Sequence, residues 1–170
     1  KLKRIKKVPT ILQMENVECG AASLGMVLAF YKKYIPLEQL RSDCSVSRDG
    51  CNMKNIAKAA MHYKLNVRAL KTDIDGLKQN VKLPAIIHWD FNHFVVVCGF
   101  KKDSVVINDP ALGRLNIKLP EFSRMFTGIV LELVPSEDFI AEGEPKSIIK
   151  FLKQRLKHSI VPIVYILILG

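Results

Sequence analysis

The segment QMENVECGAASLGMVLAFY constrains the fold most, because apolar residues and residues with very small side chains follow one another in it almost without a break. Neighbouring elements can approach the backbone of such a helix closely, so we expect it to lie across the middle of a domain. The pattern predicts a helix over residues 17–31, capped by Asn16. The small side chains belong to Gly20, Ala21, Ala22, Ser23 and Gly25.

Cys19 falls in the first turn of this predicted helix. A thiol attacks as the thiolate, and the unpaired N–H groups and partial positive charge at a helix start favour that anion. Gln13, six residues earlier, offers an amide side chain. Cys19 is therefore a candidate nucleophile. The alternative is a buried free cysteine on an amphipathic helix, a common environment for this residue type.

A nucleophilic cysteine needs a base and a group that orients the base, and the second half of the chain offers both. His93 begins the apolar run FVVVC, which predicts a buried strand, and Asp109 ends the next short strand. If the two strands form a hairpin, the start of the first lies beside the end of the second, so His93 meets Asp109. Pro110 favours an extended backbone at Asp109 and so helps to fix its direction.

Four stretches of the sequence resemble a known family. They are similar to the papain-like peptidase domain that is fused to bacteriocin-exporting ABC transporters and cleaves double-glycine leader peptides. The resemblance runs from about residue 8 to residue 135. The stretches are QMENVECGAASLGMV, SRDGCNMKNIAKAAMHYKL, AIIHWDFNHFVVV and VVINDPALGR.

The resemblance implies a role for each of four residues. Cys19 is then the nucleophile, His93 the general base and acid, Asp109 the residue that orients His93, and Gln13 the oxyanion donor. Many members of the family carry Asp directly before the catalytic cysteine, whereas this chain has Glu18. This difference removes no catalytic group.

The order of the predicted elements gives an α+β fold class. Helices dominate the first half and strands the second, so we expect a helical lobe, which carries the nucleophile helix, packed on an antiparallel β-sheet lobe. The resemblance implies the same papain-like architecture. After residues 17–31, the predicted helices are 37–43, 52–63, 73–80 and 120–126, and the predicted strands are 66–71, 85–89, 94–100, 104–107, 114–119 and 129–134.

The formal net charge of +10 is concentrated at the two ends of the chain. Residues 1–7 and residues 146–170 each carry five basic groups and no acid, which leaves 16 of the 26 Lys and Arg to balance the 16 Asp and Glu. A neutral middle disfavours a nucleic-acid-binding or membrane-surface protein. We predict a basic N-terminal tail over 1–7, a peptidase domain over 8–140, and a linker with further elements over 141–170.

The last 25 residues combine a basic amphipathic pattern with a terminal apolar run. Residues 160–169 are almost wholly apolar but amount to roughly half of the 20 or so that a spanning helix needs. We interpret them as the start of a truncated transmembrane segment after a cytosolic surface helix. The alternative is a core helix followed by an apolar strand.

Several other residues are weaker candidates. His88 is a rival base, but period-two alternation places it on the sheet face opposite Ile87 and Trp89, with no acid to orient it. Cys44, Cys51 and His62 match no compact zinc spacing. Cys98 is predicted to be core, and the SRDG stretch to be a loop.

Three residues are candidates for contacts with the substrate. Trp89 is expected to wall the cleft, with a place in the core as the alternative. Met53 and Tyr63 are candidates for an apolar groove that binds a leader helix at helix-spaced positions. A double-glycine junction suits a narrow channel, because a residue without a side chain lets two backbones approach closely.

The remaining expectations concern cofactors, partners and location. Proteolysis of this kind implies no metal or organic cofactor, and the resemblance assigns ATP and Mg to other domains of the transporter. The expected partners are a precursor peptide and the transmembrane and ATP-binding domains, with a monomeric isolated domain and a homodimeric transporter. Four cysteines form no disulfide framework, and a reactive thiol needs a reducing compartment, which predicts that the domain faces the cytosol. The resemblance then implies the cytoplasmic face of a bacterial membrane. The alternative function is a non-cleaving domain that binds leader peptides.

Overall fold

The structure is a computed structural model that describes residues 5–144. Within this range the predicted helices and strands are all present, and the α+β prediction is confirmed. The helices are α1 (Cys19–Phe30), α2 (Leu37–Asp43), α3 (Met53–His62), α4 (Ile74–Asn80) and α5 (Leu119–Met125). The strands are β1 (Leu65–Lys71), β2 (Ala85–Trp89), β3 (His93–Phe100), β4 (Ser104–Asp109), β5 (Gly113–Lys118) and β6 (Phe126–Pro135).

The six strands form one antiparallel sheet in the order β1-β6-β2-β3-β4-β5. Strands β2 to β5 are consecutive hairpins, whereas β6 inserts between β1 and β2. Strand β6 starts at Phe126, earlier than the predicted start at residue 129. Near this start Gly128 has a φ of 87°, and the pairing of β6 with β2 shifts register between Ile87 and Trp89. Such an irregularity interrupts the alternating pattern by which strands are recognised in a sequence.

The sheet separates two apolar cores. Side chains alternate along β2 and β3, so that Ile86, Phe94 and Val96 face α1 while Ile87 and Val95 face α4 and α5. Both faces are covered, which explains why these strands are continuous apolar runs rather than alternating ones. Each fully buried aliphatic or aromatic side chain stabilises the fold by about 1.5–3 kcal/mol.

Helix α1 is buried on all sides except at its last residue, Phe30. A Cβ atom added at Gly20 would lie 2.3 Å from Cys51 Sγ, and one added at Gly25 would lie 2.8 Å from Leu40 Cδ1. The neighbouring elements therefore pack directly on the helix backbone. The prediction of a tightly packed central helix is confirmed, and the alternative of an amphipathic helix is wrong.

The predicted cap of this helix is wrong. Residues Asn16–Glu18 form a single 3-10 turn that leads into α1, and Asn16 lies inside this turn instead of preceding the helix. The carboxylate of Glu18 accepts the backbone N–H of Glu15, the capping residue of the turn. By contrast, Asn52 caps α3, because its side chain accepts the N–H of Asn55.

The N-terminal segment belongs to the domain from an earlier residue than predicted. Lys6 N donates to Cys98 O at 2.8 Å, and Ile5 packs against Gly99, which lacks a side chain that would block the contact. The buried Asn108 side chain donates to Val8 O. These contacts attach the segment to the sheet and guide it toward the start of α1.

The predicted C-terminal surface helix and apolar segment lie outside the described residues. Over residues 5–144, no helix is both long enough and apolar enough to span a membrane.

Candidate active site

Three side chains meet at one end of the sheet, and each lies at the end of its element. Cys19 is the first residue of α1, His93 the first of β3 and Asp109 the last of β4. Because β3 and β4 run antiparallel, the start of one strand lies beside the end of the other. Helix α1 packs across β3 and brings the thiol to the same point.

His93 and Asp109 form a short, well-shielded pair. His93 Nε2 lies 2.9 Å from Asp109 Oδ1, and the side chains are 18% and 7% exposed. The N–H of Ala111 also donates to Asp109 Oδ1, at 2.7 Å, and fixes the carboxylate from the turn that follows. The sequence-based expectation that a hairpin places these two residues together agrees with this geometry.

Cys19 completes the arrangement, because its side chain interacts with the His93 imidazole and raises the pKa of that group. One turn along α1, Ser23 Oγ donates to Phe94 O at 3.1 Å, directly beside His93 in the chain. This buried bond fixes the position of α1 along β3, and therefore the position of the thiol relative to the imidazole.

The electrostatics of the site favour a protonated imidazole. Burial opposes the charged form of His93, but hydrogen bonds to Asp109 and Cys19, together with their charges, outweigh it and raise the pKa of His93 to about 9. Burial raises the pKa of Asp109. The bond from His93 and the backbone N–H groups of Ala111 and Leu112 outweigh this effect and hold the pKa of Asp109 below its usual value. Asp109 is thus a carboxylate at neutral pH.

Gln13 reaches the site through the N-terminal segment. Its backbone N–H donates to Pro110 O at 2.9 Å, immediately after Asp109 in the chain. Its side-chain Oε1 is buried and has no hydrogen-bond partner among residues 5–144. The structure therefore connects the backbone of Gln13 to the segment that carries Asp109.

The sequence reasoning did not predict the contact between two residues next to the site, Glu18 and Arg41. Glu18, directly before the thiol, is 1% exposed and forms an ion pair with Arg41, with 2.9 Å between Oε1 and Nη1. The spacing of Glu15 and Glu18 before an apolar run is a capping signal that could have identified the glutamate. Nothing in the sequence indicates Arg41, because the contact spans two helices.

Exposed apolar side chains also occur near the site residues in the chain, and the sequence reasoning did not identify them. Each lies within three residues of Gln13, His93 or Asp109. The residues are Leu12, Met14, Phe91 and Leu112.

The rival base, His88, has a different hydrogen-bond partner. His88 Nδ1 is 3.1 Å from Thr127 Oγ1, and burial lowers the pKa of His88. Its ring packs against Phe94, which confirms that it lies on the sheet face opposite Ile87 and Trp89. Cys98 is buried in β3 as predicted. Among residues 5–144, no group of three or more His, Cys, Asp or Glu is arranged to hold a metal ion.

The structure packs two of the three candidate substrate contacts inside the domain, and their role toward a substrate stays a prediction. Trp89 is 7% exposed and packs on Phe122 in the core that faces α4 and α5, because strand alternation directs it away from α1. Tyr63 is buried, its hydroxyl bonds to Asp43, and its ring lies 6.0 Å from Lys33 Nζ, beyond the end of α1 opposite to Cys19. Met53 is partly buried beside the core that faces α1 and stays a prediction.

Comparisons with known proteins agree with this geometry. A family model described as the Peptidase C39 family matches residues 7–138. The chain is 42% identical over 139 residues to a probable microcin-H47 secretion/processing ATP-binding protein of Escherichia coli, covering 82% of this chain and 20% of the relative. A transport/processing ATP-binding protein of Streptococcus pneumoniae is 32% identical, with 79% and 20% covered. The chain thus spans about one fifth of the length of these relatives.

Solved structures give the same result. A double glycine motif protease from an AMS/PCAT transporter, solved in complex with the leader peptide, matches with a TM-score of 0.77 and 54% identity, covering 79% of this chain and 96% of that chain. The peptidase domain of Streptococcus ComA shares the fold, with a TM-score of 0.71 at 24% identity over 74% of this chain and 97% of that one. From the extent of the family match and these similarities together, the chain belongs to the Peptidase C39 family and is a cysteine peptidase domain.

Proposed function

We propose that this domain removes the leader peptide from a bacteriocin or lanthipeptide precursor by cleaving after a double-glycine motif. The single observation that carries the proposal is that His93 is hydrogen bonded to Asp109 and also interacts with the Cys19 side chain. Further support comes from a protease of 54% identity that cleaves at double-glycine motifs, and from relatives that process and secrete microcins.

In the first half of the reaction, the Cys19 thiolate attacks the carbonyl carbon of the second glycine. Nε2 of His93 is engaged by Asp109, which leaves Nδ1 as the ring nitrogen for the thiol proton. The resulting imidazolium donates that proton to the leaving amine, the peptide C–N bond breaks, and a thioester remains on Cys19. The raised pKa of His93 keeps this proton available at neutral pH.

Two donors stabilise the negative charge on the carbonyl oxygen in each tetrahedral intermediate. They are the backbone N–H of Cys19, at the start of α1, and the amide Nε2 of Gln13. In the second half, His93 removes a proton from water, the hydroxide attacks the thioester, and the leader leaves with a new carboxyl terminus. No metal or organic cofactor enters these steps.

The surroundings of the site support an apolar leader as substrate. Leu12 and Met14 flank Gln13 in the chain, Phe91 lies in the turn before His93 and Leu112 in the turn after Asp109, and all four side chains are exposed and apolar. An amphipathic leader helix would bind such contacts through residues at helical spacing. A junction of two glycines suits a narrow channel that leads to the thiol, because glycine lacks a side chain.

The same relatives suggest the setting of the domain. In a longer transporter it would act at the cytoplasmic face of a bacterial membrane, next to transmembrane and ATP-binding domains that use ATP and Mg for export. A homodimeric transporter with a monomeric isolated peptidase domain is part of this proposal. Nucleic acid is not among the expected partners.

Cleavage of a synthetic double-glycine leader peptide, followed by mass spectrometry, tests the proposal. The unmodified chain should release a leader that ends in the second glycine, and Cys19→Ala should reduce turnover by at least about 10⁴-fold while still binding the peptide. Cys98→Ala, which removes a buried thiol elsewhere, is the matched control and should cleave normally.

Two other results would contradict the proposal. Binding of the leader without cleavage by the unmodified chain would favour the alternative of a non-cleaving binding domain. Normal cleavage after replacement of the second glycine by a bulky residue would contradict the narrow channel.

A further inference from the structure

Glu18 is a buried charged residue that the proposed mechanism does not use. Its side chain is 1% exposed and lies directly before the nucleophile in the chain. A buried carboxylate is costly unless it is paired and hydrogen bonded, so its partners indicate what it is retained for.

All the partners of Glu18 lie around the loop that carries Gln13. Oε2 accepts the backbone N–H of Met14 at 2.7 Å and that of Glu15 at 3.0 Å, while Oε1 pairs with Arg41 Nη1 at 2.9 Å. The carboxylate thus connects the start of α1 to the two residues that follow Gln13.

The two peptide groups on either side of Gln13 are both fixed. The N–H of Gln13 donates to Pro110 O, and the N–H of Met14 donates to Glu18. Because two fixed peptide planes determine the backbone torsions between them, the direction of the Gln13 Cα–Cβ bond follows from these two bonds. One bond comes from the segment of Asp109 and the other from the residue before Cys19.

We propose that Glu18, held by Arg41, is a positioning residue that places the Gln13 amide on the oxyanion formed at Cys19. This inference rests on the proposed function, because it assumes that Gln13 is the oxyanion donor. An oxyanion donor must lie within about 2.7–3.1 Å of the charged oxygen, so a small shift of the loop is enough to lose its contribution.

The chemistry of these contacts requires a carboxylate. One oxygen accepts two N–H groups and the other faces a guanidinium, which only donates. A glutamine at this position has one acceptor oxygen, and its NH2 group would face either Arg41 or the loop N–H groups as a second donor. Glu18→Gln therefore loses one of the two sets of contacts while it keeps the size of the side chain.

The test compares peptide cleavage with alkylation of the thiol by iodoacetamide. Alkylation displaces iodide from a saturated carbon and forms no oxyanion, so it reports on Cys19 and His93 without Gln13. We expect Glu18→Gln to lower kcat by about 10- to 100-fold, to change KM by less than about twofold, and to leave the alkylation rate and its pH dependence unchanged. Glu38→Gln, an exposed glutamate on α2, is the matched control and should behave like the parent.

A double-mutant cycle with Gln13→Ala separates positioning from a merely structural role. Gln13→Ala alone should lower kcat by about 100-fold, and adding Glu18→Gln to it should lower kcat by less than about twofold more. If Glu18→Gln fails to fold, Glu18→Asp, which keeps two acceptor oxygens on a shorter side chain, is expected to show the same non-additivity with a smaller loss.

The outcomes that would overturn the two proposals differ. If Gln13→Ala cleaves as fast as the parent, the oxyanion assignment fails and this inference fails with it. If Gln13→Ala is slow but Glu18→Gln is normal, or if the two losses multiply, only the positioning role is overturned. A slower alkylation in Glu18→Gln would also overturn it, because Glu18 would then act on the thiol itself.

Discussion

A charged side chain is buried near each end of helix α1, and the two charges are of opposite sign. Each is held by hydrogen bonds and an ion pair, but each holds a different part of the chain. At the N-terminal end, the Glu18 carboxylate accepts loop N–H groups and pairs with Arg41. Beyond the C-terminal end, the buried ammonium of Lys33 donates to Ile140 O and pairs with Glu142. Both charges have the sign that complements the helix dipole at their end.

The difference lies in what each charge holds. Glu18 fastens a loop that reaches Cys19 and its partners. Lys33 fastens the segment after β6, where Tyr34 N also donates to Glu142 O. The backbone here turns through Lys32 at a φ of 67°, and the N–H of Lys33 returns to Leu28 O, which closes the helix. Changes at the first end should therefore affect turnover, and changes at the second end should affect stability.

Among the variants that test this comparison, Asp109→Asn should have the largest effect, and that effect is on turnover. Asparagine keeps the size of the side chain but loses the charge, so kcat/KM should fall by about 100-fold. The hydrogen bond and charge of Asp109 raise the pKa of His93, so their loss lowers that pKa. The activity of the parent should decline as pH rises through about 9, where His93 loses the proton it donates, and this decline should move to lower pH in the variant.

The pH profile of kcat/KM between pH 5 and about 10 measures both effects. Asp103→Asn, an exposed residue of the turn before β4, is the matched control and should keep the parent profile. An unchanged high-pH limb in Asp109→Asn would mean that this carboxylate does not control the imidazole.

The next effect is on stability, from Lys33→Met at the other end of α1. The variant removes the hydrogen bond to Ile140 O and the pair with Glu142, whose side chain is 58% exposed and so contributes less than a buried partner would. The free energy of unfolding should fall by about 1–2 kcal/mol. Turnover of the folded variant should stay within about twofold of the parent.

Urea denaturation combined with the cleavage assay measures this prediction. Lys58→Met, on the exposed side of α3, is the control and should leave both quantities unchanged. A large loss of kcat in Lys33→Met, with stability preserved, would show that the two ends are not separate in function.

The smallest expected effect comes from Ser23→Ala, one turn inside α1. The loss of its bond to Phe94 O should cost about 1 kcal/mol of stability and leave a buried carbonyl unpaired. Because this bond sets α1 against β3, we expect a few-fold slower alkylation of Cys19 as well as slower cleavage. Glu18→Gln should slow cleavage alone. Equal alkylation rates in Ser23→Ala and the exposed control Ser42→Ala would remove this distinction.

Much of the fold could be predicted because its signals are local. The buried strands are apolar runs bounded by turns, and the hairpin of β3 and β4 follows from two such runs with a short connection, which is enough to bring His93 to Asp109. The small side chains that follow Cys19 likewise predict a close-packed central helix.

The features that were missed depend on contacts between distant segments. Arg41 pairs with Glu18 only because α2 lies beside α1, and no periodic pattern records this. Trp89 was expected at the cleft although strand alternation alone places it with Ile87 in the opposite core. For Tyr63, the sequence does not indicate which end of α1 the residue packs beside. Its bond to Asp43, near the end of α1 opposite to Cys19, therefore could not be anticipated.

The anchoring of Lys33 has a mechanical consequence. Helix α1 rises about 18 Å over its 12 residues, so the segment held by Lys33 and Tyr34 lies roughly that far from the sulfur atom. Tension applied to the chain beyond Glu142 would be borne first by the ion pair and by the contact of Gly143 with Tyr34. A pull of this kind could displace the whole domain while the thiol, the imidazole and the carboxylate keep their spacing.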